Sequence, residues 1–140
     1  MLNNAVRYLS SVTPVVSLIS PNNGTIYGGT TVVFTGSNFD AGTPSVVIDG
    51  VTCVVTPLNS TYFTCVTGSR LFLPTQNSFV VKFGNQNALL NDEFLYTMKW
   101  SDSRTWGTDL PPVEGDLVYV PKGMTLYVDQ TTPRLDGIIV

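Results

Sequence analysis

Turn-forming residues punctuate the first hundred positions of this chain at short intervals, and what lies between them is β-branched or alternates apolar with polar. Pro21-Asn22-Asn23-Gly24, Gly28-Gly29, Asp49-Gly50, Pro57-Leu58-Asn59-Ser60 and Gly84-Asn85 read as turns, and Gly36-Ser37-Asn38-Phe39 as a bend. Proline presets φ, glycine tolerates positive φ, and Asn or Asp side chains bond their own backbone. The intervening segments predict strands: Val15 to Ile19 after Pro14, Thr31 to Thr35 with Val32 and Phe34 inward, Val46 to Ile48, Val51 to Val55, Tyr62 to Val66, the alternating Phe79, Val81 and Phe83, and Phe94 with Tyr96. Asp49-Gly50 between two apolar runs is a hairpin signal. About seven short strands at this spacing favour an antiparallel sandwich over βαβ units. Alanine, glutamate and lysine are scarce, which argues against long helices.

The chain has 140 residues, of which 43% are apolar, enough for one cored domain and part of another. The character changes after Thr97. Both tryptophans, Trp100 and Trp106, lie beyond it, charge is denser, and strand candidates run Asp116 to Val120, Thr125 to Val128 and Leu135 to Val140. The last has no later segment to pair with, so this second β module reads as truncated. The start of the chain echoes its middle. Leu2-Asn3-Asn4-Ala5-Val6-Arg7-Tyr8 resembles Leu90-Asn91-Asp92-Glu93-Phe94-Leu95-Tyr96, at a separation of about one sandwich domain. Residues 1–13 therefore read as the last strand of a preceding domain or as a linker, residues 14–97 as the sandwich, and residues 98–140 as the second module.

The segments Pro14 to Pro21, Gly28-Gly29-Thr30 and Phe34-Thr35-Gly36-Ser37-Asn38-Phe39, with Cys53 and Cys65, resemble an IPT/TIG domain. This is the immunoglobulin-like sandwich of plexins, certain transcription factors and large ciliary and cell-surface receptors. The resemblance implies an all-β antiparallel fold with Phe39 plugging one end. The tail is similar to the opening of a G8 domain, a β-rich module that leads into a parallel β-helix. The matching residues are Trp100-Ser101-Asp102, Thr105-Trp106, Leu110-Pro111, Gly115 to Pro121, Gly123-Met124 and Leu126 to Asp129. IPT/TIG followed by G8 resembles the fibrocystin-like surface receptors.

Chemistry-bearing residues are few. The chain has no histidine, which removes Ser-His-Asp and Cys-His catalysis and His-ligated metal sites, so neither enzyme activity nor a cofactor is expected. Cys53 and Cys65 lie on two candidate strands joined by a loop. A disulfide is the expected state, worth about 3 kcal/mol and implying an oxidising compartment, and two buried thiols are the alternative. Asn23-Gly24-Thr25 and Asn59-Ser60-Thr61 fit the N-glycosylation pattern, both in expected turns. Asp102, Asp109, Glu114 and Asp116 read as solvated turn residues, with a weak Ca²⁺ site built from Asp102, Asp109 or Asp116 as the alternative. Trp100 and Trp106 are candidates for packing between the modules or for contact with a partner.

Net charge is −3, and the seven basic residues, Arg7, Arg70, Lys82, Lys99, Arg104, Lys122 and Arg134, are scattered, so no nucleic-acid surface is expected. No apolar run reaches a membrane span, so any membrane attachment would come from parts outside this chain. These features point to a structural or adhesive repeat of a large extracellular or ciliary-surface glycoprotein. Its expected partners are neighbouring domains of the same longer chain, and copies of itself or another surface protein in a filament. The alternative is an accessory part of a carbohydrate-binding or hyaluronidase-like G8 protein.

Overall fold

The computed structural model describes residues 13–70, 78–107 and 110–140. The segment expected to belong to a preceding domain, Leu2 to Tyr8 included, and Asp109 lie outside the described residues. The strands are β1 (Val15–Ser20), β2 (Asn23–Thr25), β3 (Thr31–Ser37), β4 (Pro44–Ile48), β5 (Val51–Pro57), β6 (Tyr62–Val66), β7 (Phe79–Phe83), β8 (Gln86–Asn87), β9 (Leu89–Leu90), β10 (Leu95–Lys99), β11 (Leu117–Tyr119), β12 (Leu126–Tyr127) and β13 (Gly137–Ile139). Single 3-10 turns at Phe39–Ala41 and Ser103–Trp106 are the only helical pieces among the described residues.

Eight strands run in the order β8-β7-β4-β5-β6-β3-β1-β9. The sheet closes over itself because β5 changes partner half-way. Val51 to Cys53 pair with β4, whereas Val54 to Pro57 pair with β6. One layer is therefore β8, β7, β4 and the start of β5; the other is the end of β5 with β6, β3, β1 and β9. Inward residues alternate as period-2 patterning requires. Val32, Phe34, Phe63 and Cys65 come from one layer, and Val46, Ile48, Cys53, Val81 and Phe83 from the other, all buried. Phe34 stacks on its cross-strand partner Phe63 at 4.6 Å and lies 6.2 Å from Phe79 of the opposite layer. Burying each such ring contributes about 1.5–3 kcal/mol.

Several local expectations shift. The bend placed at Gly36–Phe39 begins two residues later: β3 runs through Gly36 to Ser37, and the chain turns at Asn38, whose φ is 60°. Gly36 is needed because a Cβ there would collide with the Val15 carbonyl and the Phe39 ring. Phe39 packs between Phe83, at 5.0 Å, and Phe63, at 5.2 Å. Asn38 Nδ2 donates to the Thr13 carbonyl rather than within its own loop. Asn23 and Gly24, expected in a turn, form β2, because β10 supplies the backbone partners that an isolated Asn-Gly-Thr lacks. Thr31 to Thr35 is an interior strand between β1 and β6.

Beyond β10 a smaller core forms from Trp100, Val118 and Val120, with Trp106, Met124, Leu126 and Leu135 against it. Leu135 to Val140 does find a partner, upstream rather than downstream. β13 lies parallel to β11, with Val118 opposite Ile138.

Candidate functional site

The feature that joins the two cores is β10. Its first three residues pair with β2 of the sandwich, Leu95 with Asn23, Tyr96 with Gly24 and Thr97 with Thr25. Its last two pair with β12, Met98 with Leu126 and Lys99 with Tyr127. Both ladders are parallel. One five-residue strand thus belongs to both cores, and no loop separates them at which a hinge could form.

Side chains close the same junction. Tyr96 is buried under the Phe94 edge, and its hydroxyl donates to the Gly68 carbonyl at 2.7 Å. Burial, helped by the nearby Asp49 carboxylate and opposed by Arg70, raises its pKa above the ordinary phenol value and keeps it neutral. Arg70 is 2% exposed. Its Nε lies 3.1 Å from Asp49 Oδ2, close enough for strong charge attraction but poorly aligned for a hydrogen bond. Its Nη2 donates across the junction to the Gly123 carbonyl at 3.3 Å, and its backbone N–H to the Ile26 carbonyl. Asp49 sits at φ 52° in the β4–β5 hairpin and accepts from the Ser78 N–H. A charge pair this deep persists only if its remaining hydrogen-bonding capacity is met, and the Gly123 carbonyl meets part of it. Gly28 packs on the Gly68 backbone at φ 80°, a conformation and a closeness that exclude a side chain.

On the outer side, Tyr27 donates its hydroxyl to the Arg104 carbonyl, and the Arg104 guanidinium lies 4.4 Å above the Tyr27 ring. Asp102 holds that guanidinium through an ion pair of 2.7 Å, and the hydrogen bonds from Arg104 lower the Asp102 pKa. The Ser101 N–H and hydroxyl donate to the two Asp129 carboxylate oxygens and lower its pKa too. Asn23, Thr25, Lys99, Arg104 and Tyr127 line a groove of about 490 Å³ between the two regions.

The sequence-derived candidates fall in three places. Cys53 and Cys65 form a disulfide with Cα atoms 5.5 Å apart, at the point where β5 crosses between layers. Trp100 is buried in the C-terminal core, one residue beyond β10, with Trp106 edge-on at 4.9 Å and donating from Nε1 to the Trp100 carbonyl. Asn23 lies in the inter-core groove, whereas Asn59 lies at the β5–β6 tip. Asp102 and Asp116 accept from turn amides, at Arg104 and Val113. Among the described residues, no three metal-ligating side chains come together. Arg70 and Asp49 escaped the sequence reading: one looked like a scattered surface charge and the other like half of a hairpin turn.

A disulfide-crossed, two-layer β sandwich with a plugging phenylalanine defines an immunoglobulin-like extracellular-type module. The chain belongs to the IPT/TIG domain family, which it matches over residues 14–98. It is similar to Fibrocystin-L of Homo sapiens, 35% identical over 136 residues, and to Fibrocystin-L of Mus musculus, 33% identical over 138 residues. Both similarities cover 95% of this chain and only 3% of the relative. Among solved structures, the full extracellular region of plexin A4 aligns with a TM-score of 0.53 at 26% identity, over 61% of this chain and 8% of that one.

Proposed function

We propose that this segment is a non-catalytic spacer and adhesive repeat of a larger extracellular or surface glycoprotein. Its work is to fix the direction in which the following module leaves the IPT/TIG sandwich. The observation that carries this reading is β10, shared by two cores and locked by Arg70. The disulfide supports an oxidising, extracellular location. No helix among the described residues is long and apolar enough to cross a membrane. Residues 98–140 are read as the start of a G8-like module. The parallel pairing of β12 with β10 and of β13 with β11 supports this, since a module leading into a parallel β-helix needs parallel strands from its first turn. The partners are then the neighbouring domains of the same long chain.

The test is rotational diffusion of the oxidised chain, by nuclear spin relaxation of amides in β3 and β11. One shared correlation time supports the spacer reading. Independent tumbling of the two regions overturns it. Cleavage of hyaluronan by the purified chain would replace it with an enzymatic assignment.

A further inference from the structure

The two N-glycosylation triplets sit in opposite surroundings, and we infer that Asn59 carries an N-linked oligosaccharide while Asn23 does not. The inference rests on the extracellular reading above. Asn59 lies on the exposed tip between β5 and β6. Its Oδ1 accepts from the Thr61 N–H at 2.9 Å, the Thr61 hydroxyl at 2.8 Å and the Tyr62 N–H at 3.1 Å. Three donors converging on one oxygen fix the carboxamide orientation, because the amide NH₂ group donates hydrogen bonds and does not accept them. Nδ2 therefore points away from the turn, toward solvent. The hydroxyl that the triplet requires is already held against the acceptor carboxamide.

Asn23 lacks each of these features. It lies within β2, half-buried beside β10, and its Nδ2 donates to Asn22 Oδ1. The Thr25 hydroxyl is turned to the Tyr27 N–H instead of to Asn23. A sugar on Asn23 would enter the groove occupied by Lys99, Arg104 and Tyr127 and press on the junction. A sugar on Asn59 disturbs nothing, since N-glycosylation leaves the carbonyl oxygen and its three bonds in place.

The donor is an oligosaccharide carried on a polyprenyl pyrophosphate. Asn59 Nδ2 attacks the anomeric carbon, the bond from that carbon to the pyrophosphate oxygen breaks, and one amide proton leaves. The products are a C–N glycosidic bond and free polyprenyl pyrophosphate, with no change of oxidation state.

The experiment is secretion of the full 140-residue chain from animal cells behind a cleavable leader, with intact mass read before and after treatment with an amidase that removes N-glycans. The expected result is one oligosaccharide per chain, lost in Asn59→Gln and in Thr61→Val and kept in Asn23→Gln. Thr61→Val leaves Asn59 in place, so a folding fault peculiar to the Asn59 variant cannot mimic the result. Retention of the glycan in Asn59→Gln, or its loss in Asn23→Gln, overturns the assignment. A chain secreted with its disulfide closed but unglycosylated overturns it and leaves the extracellular reading standing. A chain retained with both cysteines reduced sinks that reading and this inference together.

Discussion

The sandwich and the C-terminal region are built from the same β-prone residues, yet they are held in different ways. Among its described residues, the sandwich buries fifteen core residues around a phenylalanine stack, and it closes with a disulfide. Among its described residues, the C-terminal region has three buried apolar residues and leaves Leu110, Leu117, Tyr119, Ile138 and Val140 exposed. A core that small rarely stands alone. The second region borrows stability through β10 and Arg70, whereas the sandwich owns its core.

The sharpest way to break that contrast is to empty each core in turn. Phe34→Ala should cost about 4 kcal/mol and lower the denaturation midpoint of the whole chain. Trp100→Ala should cost about 3 kcal/mol, because its half-exposed neighbours can collapse into the gap. Hydrogen exchange should then rise in β11, β12 and β13 while β3 and β6 stay protected. Equal loss of protection in both regions would mean that the two cores are one cooperative unit.

Asp49→Ala leaves the Arg70 guanidinium buried without its partner, and should cost about 3 kcal/mol. The double variant Asp49→Ala with Arg70→Met should recover most of that in chemical denaturation, since the isolated charge is what is costly. The two regions should still tumble together, because β10 joins them even when the bond to the Gly123 carbonyl is gone. Replacing both cysteines by alanine should cost about 2–3 kcal/mol, all of it in the sandwich transition. A comparable shift in the C-terminal region would show that the β5 crossover supports both cores.

The smallest effect concerns pH. Asp102 and Asp129 have folded-state pKa values below the ordinary 3.8. Depressed carboxylates contribute stability above the unfolded value and lose it as pH falls through the folded value. Acid titration should therefore loosen the Asp102–Arg104 and Asp129–Ser101 contacts only below the ordinary carboxylate range, after unperturbed carboxylates have protonated. Nuclear resonance shifts at Arg104 and Ser101 would report it, and Asp102→Asn should flatten the Arg104 response while leaving that of Ser101.

Much of the sandwich was legible because its signals are local. Val32 and Phe34, Phe79 to Phe83, and the Asp49-Gly50 hairpin declare themselves by period-2 burial and turn chemistry. The cysteine pair declared itself because two cysteines on adjacent strands have few other uses in an extracellular-type domain. The junction was not legible. β2 is Asn-Gly-Thr, with no apolar residue to mark it, and it becomes a strand only when Leu95 to Thr97 arrive from far along the chain. Arg70 carries no sign in sequence that it will be buried, since both its partners, Asp49 and Gly123, are distant. The contrast between Asn23 and Asn59 was invisible for the same reason: both triplets read alike until β10 covers one of them.

The parallel pairing of β1 with β9 and of β2 with β10 has a mechanical consequence. Tension entering at Thr13 and leaving beyond Lys99 pulls each parallel pair from opposite ends, along the strand axis. The backbone hydrogen bonds of each pair are then loaded together in shear instead of being peeled one by one. A chain of such modules under load would yield abruptly and late, with the sandwich giving way only after the small C-terminal core had already paid out its length.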